Sequence, residues 1–176
     1  MNSPESRGLP PIDTKPNENT EPISADGQQS ESTEQNSWDG RFYAAETSYI
    51  DQAVEVWGHD PEIERPFALE MDHIAADAIT EEFEREGVAN LSEAEIERKF
   101  DSAAASLQRN NEAHGRAIDY AGTLRRGTTD AGTWRRHIEN LAAIQRNISM
   151  ANARERVLSQ RLREIHEEQG AKIKKQ

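Results

Sequence analysis

Between Ser92 and Gly170, apolar or small side chains return at alternating four- and three-residue steps, and this repeat constrains the fold more than any other feature. A first run reads Ile96, Phe100, Ala103, Leu107, Asn110, His114, Ala117, Ala121, Leu124. A second reads Trp134, Ile138, Leu141, Ile144, Ile148, Ala151, Glu155, Leu158, Leu162, Ile165. A spacing near 3.5 residues belongs to long helices that bury a narrow seam against another helix. Ser92-Glu93-Ala94-Glu95 has the form of a capping box and opens the first of these helices. The segment "RRGTTDAG" separates the runs, with Gly127 suited to a helix stop and Thr129 or Asp130 to the next N-cap. The expected helices cover about 93–126 and about 131–170.

A turn centred near residue 129 folds the second helix back on the first. It sets Leu124 against Trp134, Ile118 against Leu141, His114 against Ile144, Leu107 against Ala151, Phe100 against Leu158 and Ile96 against Leu162. Large residues then face small or complementary ones along the whole hairpin, a match that neither run contains alone. Such a rod would be roughly 50–60 Å long at 1.5 Å per residue.

Two shorter helices are expected before the hairpin. Asp39 is a plausible N-cap for a helix over about 40–57, with Phe42, Ala45, Tyr49, Ala53 and Trp57 on one face. "GHDPEIERP" interrupts it, and Pro66 suits the first turn of a helix over about 66–86. Phe67, Met71, Ile74, Ala75, Ala78, Ile79 and Phe83 form its stripe, and Gly87 supplies the stop. Residues 1–37 are rich in Ser, Pro, Asn, Gln and Glu, with little to bury against the entropy of ordering. The expected architecture is therefore all-α. A disordered acidic tail over 1–37 precedes a helical domain over 38–176, in which four helices are arranged on a long, partly coiled-coil antiparallel hairpin.

Composition narrows the chemistry. A mean hydropathy of −0.94 and only three Trp, three Tyr and four Phe suit an extended helical protein better than a large enzyme core. The absence of Cys removes thiolate ligands, disulfides and Cys nucleophiles. There is no Gly-x-Ser-x-Gly elbow, no P-loop and no Gly-x-Gly-x-x-Gly after a strand. "EMDHIAAD" places Glu70, His73 and Asp77 on one helical face, but Glu-x-x-His is only half of a di-iron ligand set and no second one occurs. Catalysis, cofactor and metal are thus not expected. No apolar run of about 18 residues and no N-terminal h-region appear, so the expected place is the cytoplasm, with export by a route lacking a cleavable signal left open.

Charge is uneven. Net charge is −6 over residues 1–40, −11 over 41–100 and +5 over 101–176. This layout predicts either internal docking of the basic hairpin on the acidic helices or a basic surface kept for a partner. Three groups of candidate residues follow. At the hairpin tip stand Arg125, Arg126, Arg135 and Arg136 beside Trp134. Arg135 and Arg136 lie at a helix N-terminus, where cations oppose the dipole, and are expected to seek Glu81, Glu82, Glu84 and Glu86 of the second helix. In the C-terminal arm, Leu158, Leu162 and Ile165 run past the start of the third helix, followed by Lys172, Lys174 and Lys175. That stripe must meet the first two helices or another chain. In mid-hairpin, Asn110, Asn111 and His114 face Gln145 and Asn147, a polar layer of the kind that fixes helix register.

The function expected is a non-catalytic helical protein that binds another protein or itself, as an adaptor, chaperone or antitoxin-like subunit. One alternative is a nucleic-acid accessory protein using the tip and arm, which the acidic balance disfavours. Another is a secreted effector whose basic C-terminal tail is read by an export machine.

Overall fold

The computed structural model describes residues 37–173. Of the expected tail over 1–37, Ser37 is described, as the cap of the first helix, and residues 1–36 and the arm residues Lys174 and Lys175 lie outside the described residues. The described chain forms four α-helices without a strand: α1 (Trp38–Glu55), α2 (Pro61–Glu86), α3 (Glu93–Ala121) and α4 (Ala131–Ile173), with a 3-10 turn (Val88–Asn90) between α2 and α3. The all-α hairpin architecture is as the sequence implies.

Local chemistry sets the boundaries, and several differ from expectation. α1 is capped by Ser37, whose Oγ accepts from Gly40 N at 3.1 Å, so Asp39 falls inside the first turn. There its charge favours the positive end of the helix dipole. α2 starts five residues earlier than Pro66, because Asp60 Oδ1 accepts from Glu62 N at 2.9 Å and Pro61 occupies the first turn. Pro66 is consequently an interior proline, which forfeits the backbone bond to Glu62. α2 ends as expected at Gly87, whose φ of 66° is a left-handed conformation that favours glycine. The capping box at Ser92 is formed in full: Glu95 Oε2 accepts from Ser92 N at 2.9 Å. α3 stops at Gly122 and not at Gly127, so Leu124, Arg125 and Arg126 belong to the connection. Asp130 caps α4 by accepting from Thr133 N at 2.9 Å and from Thr133 Oγ1 at 2.6 Å.

α4 is the spine of the molecule. At 43 residues it is about 65 Å long, half as long again as α3. It packs against each of the other three helices, most extensively against α3, while α1 and α2 also pack on each other. α3 lies on α4 and scarcely approaches α1 or α2. One continuous core includes Phe42, Tyr49, Met71, Ile79, Ile96, Trp134, Ile138 and Leu158. Fully burying an aliphatic side chain such as Met71 or Ile79 is worth about 1.5–3 kcal/mol.

The hairpin has the register read from the sequence. Near the tip the Tyr120 and His137 rings meet edge-on at 5.7 Å, and at the open end His166 Nε2 lies 2.8 Å from Glu93 Oε1. Ile118 and Leu141 line one pocket with His114 and Gln145. Leu124 still packs on the core, from the connection and not from the helix.

Candidate functional site

The nine-residue connection between α3 and α4 is a folded turn. Thr129 N donates to Arg125 O at 2.9 Å, Thr129 Oγ1 accepts from Arg125 N at 3.0 Å, and Gly127 takes a φ of 93°. These bonds hold Arg125 and Arg126 exposed at the tip, and neither has a carboxylate within ion-pair distance among the described residues.

The expected pairing of the tip with the second helix's acidic run does not occur. Arg135 pairs with Glu139 at 3.1 Å and with Asp51 of α1 at 3.7 Å, and Arg136 donates to Thr133 Oγ1 at 3.0 Å. The reason is direction. The tip lies beside the α1–α2 connection, and Glu81 to Glu86 sit at the far end of α2. There Glu81 Oε2 accepts from Trp38 Nε1 at 2.7 Å, both Glu82 oxygens accept from the one nitrogen Arg154 Nη2 at 3.0 and 3.3 Å, and Glu86 pairs with Lys99 at 3.0 Å. Such pairs are partly exposed and each contributes little to stability.

Trp134 is not a surface residue beside the arginines. It is 2% exposed and stacks on Trp57 with ring centroids 5.1 Å apart, tying the hairpin tip to the α1–α2 connection. His137, one turn later and also buried, lies 5.4 Å from the same indole. Burial, and behind it the His59 ring, holds the His137 imidazole below the usual histidine range. Trp134 Nε1 and His137 Nε2 are both buried without a hydrogen-bond partner in the described chain. Two desolvated polar atoms in one cluster are unusual in a packed interior.

The arm is built into the fold. Leu158 is buried in the core, and Leu162 and Ile165 pack half-buried against it. The stripe does not outrun α3, because His166 still meets Glu93 at the first residue of that helix, and Arg161 Nη2 donates to Ala89 O of the α2–α3 connection at 2.9 Å and Nη1 to Glu164 Oε2 on its own helix at 3.2 Å. Of the arm's lysines, Lys172 is described and exposed.

The mid-hairpin residues divide. Asn110 turns its amide back on its own helix, donating to Ser106 O at 2.8 Å, and Asn111 and Asn147 are exposed. Neither asparagine of α3 meets Asn147 through a described hydrogen bond. A buried polar contact that crosses helices lies elsewhere: Gln145 Nε2 donates to the buried Ser149 at 3.3 Å, and Ser149 Oγ donates to Asp72 Oδ1 of α2 at 2.5 Å. Sequence reasoning missed Ser149 and Asp72. The available signal was a serine on the buried side of the fourth helix. His114 and Gln145 share a pocket with residues of α1 and α2. Within "EMDHIAAD", Glu70 and His73 are exposed and Asp77 pairs with Arg41 at 3.5 Å. Among the described residues, no three His, Asp or Glu side chains are grouped to hold a metal ion, and no helix is long and apolar enough to cross a membrane.

No family model, curated protein or solved structure matches this chain.

Proposed function

We propose that the protein is a non-catalytic helical adaptor or assembly subunit that presents the tip of its hairpin to an acidic surface of another protein in the cytoplasm. The observation that carries this reading is the state of the tip arginines. Arg41, Arg135, Arg146, Arg154 and Arg161 each meet a carboxylate within the chain. Arg125 and Arg126, like Arg65 and Arg136, meet none among the described residues, and they are chain neighbours carried at the tip by a hydrogen-bonded turn. Presenting cations on an ordered turn lowers the cost of immobilising them when a partner binds. Another protein is favoured over a second copy, because Met71, Ile79 and Ile96 are already fully buried within one chain.

The same exposed guanidinium pair also supports the second reading, contact with nucleic-acid phosphate. One experiment separates them. The full chain and its Arg125→Glu, Arg126→Glu variant are tagged and recovered from their native cells, and each is titrated against labelled duplex DNA and RNA. The adaptor reading expects co-purifying proteins that the variant loses, with no salt-sensitive nucleic-acid binding by either form. Nucleic-acid binding that charge reversal abolishes replaces it with the second reading. A protein partner retained by the variant removes the tip from the account.

A further inference from the structure

Side chains of all four helices, and of the α1–α2 connection, converge on a pocket of about 200 Å³. Phe67 and Ala68 of α2, Ile118 of α3 and Leu141 of α4 give it an apolar wall. Tyr49 of α1 extends that wall, its ring stacked on Phe67 with centroids 4.1 Å apart and planes 9° from parallel. Burial, then the charge of Glu64, pushes the Tyr49 hydroxyl up to about 12, so it remains a donor at neutral pH.

The rest of the lining is polar. His59 Nδ1 lies 2.6 Å from Glu64 Oε1, so the one carboxylate at the pocket already has a neighbour on it. Gln145 uses its amide nitrogen on Ser149. Arg65 also lines the pocket, and it has no carboxylate within ion-pair distance among the described residues. His114 completes the set. An apolar wall beside an arginine that has no carboxylate partner among the described residues suits a ligand with an apolar body and an anionic head.

We propose that this pocket binds a small monocarboxylate with an aromatic or branched aliphatic body, the carboxylate on Arg65 and the body against Phe67, Ile118 and Leu141. A space of this size admits roughly ten non-hydrogen atoms, and the expected dissociation constant for so small a ligand at an open site is on the order of a millimolar. The site is remote in chemistry from the tip arginines and does not rest on their role.

The test is a titration of the isotope-labelled full chain by two-dimensional NMR, with phenylacetate as probe and benzyl alcohol as its uncharged counterpart. Saturable shifts are expected around Phe67, His114, Ile118 and Gln145, with at least about tenfold weaker binding of benzyl alcohol. Arg65→Gln changes an exposed residue and should weaken phenylacetate by about the same factor while leaving helicity intact. Ala68→Leu, which fills the pocket, should abolish saturation by both. Equal affinity for the two probes, binding unchanged in Arg65→Gln, or shifts centred on Arg125 and Arg126 would each overturn the proposal. So would the absence of saturation up to about 20 mM, an order of magnitude above the expected constant.

Discussion

The two ends of α4 are held by different physics. At the tip, Trp134 and His137 are buried in an aromatic cluster with Trp57 and Tyr120, and two of its polar atoms lack partners in the described chain. At the other end, Ile96 and Leu158 close the core and charged contacts surround them: Arg154 on Glu82, Lys99 on Glu86, Arg161 on Ala89 O. The tip is an aromatic cluster anchored by buried area and ring contact. The far end is an aliphatic plug within a ring of partly solvated charge. The buried imidazole at the tip therefore answers to pH, because desolvation governs it, while the exposed ion pairs at the far end answer to salt, because screening governs them.

Removing the central ring of the tip should cost most. Trp134→Ala is expected to lose about 3–5 kcal/mol, read from urea unfolding, since it deletes a large buried side chain and leaves Trp57 without its stacking partner. A loss below about 1 kcal/mol would mean that the tip is not anchored there. Leu158→Ala at the other end should cost about 2–4 kcal/mol by the same measurement. The difference between the two variants compares the anchors directly.

The Ser149–Asp72 contact in mid-molecule is a hydrogen bond to a charged acceptor, so Ser149→Ala should lose about 1–2 kcal/mol. Glu82→Gln removes an ion pair that is partly exposed on both sides. Its cost should stay under about 1 kcal/mol and shrink further in 0.5 M salt, whereas the cost of Trp134→Ala should not change with salt.

The pH response belongs to the tip. The folded chain holds His137 below the usual histidine range, and the unfolded chain takes up its proton near pH 6.5. Between those two values the unfolded state carries more protons, so stability falls as pH falls through that window and is fully present above it. The unfolding midpoint should therefore drop between about pH 7.5 and pH 5.5, and His137→Gln should flatten that slope. An equal slope in the variant would assign the effect to another group.

Much of the fold was legible because helix formation here is local. The four-three repeat, the capping box at Ser92 and the stop at Gly87 are each written in a few neighbouring residues. The hairpin register was legible because two long stripes of large and small residues match in few ways, and the nine-residue connection folds back on itself. Boundaries failed where two local signals competed. Ser37 prevailed over Asp39 as a cap, Asp60 with Pro61 over Pro66 as a start, and Gly122 over Gly127 as a stop.

The candidate surfaces were less legible, because they depend on which helices lie side by side. Arg135 finds Asp51 and not Glu81 to Glu86, since the tip lies against the beginning of α2 and not its end. Trp134 reads both as the first seam residue and as a neighbour of the tip arginines, and only the packing of Trp57 onto it shows that the seam reading holds. Asn110 reads as a register lock, yet its nearest acceptor is Ser106 one turn back on its own helix, while Ser149 finds Asp72 on α2.

The central claim is that one chain closes its own core around α4. Light scattering over a hundredfold dilution, with helical circular dichroism recorded on the same samples, tests it most directly. The account predicts a monomer of 19.8 kDa whose strong helical signal does not change with concentration. A species that dissociates on dilution with loss of helicity would contradict it, because the apolar seam would then be completed by a second chain.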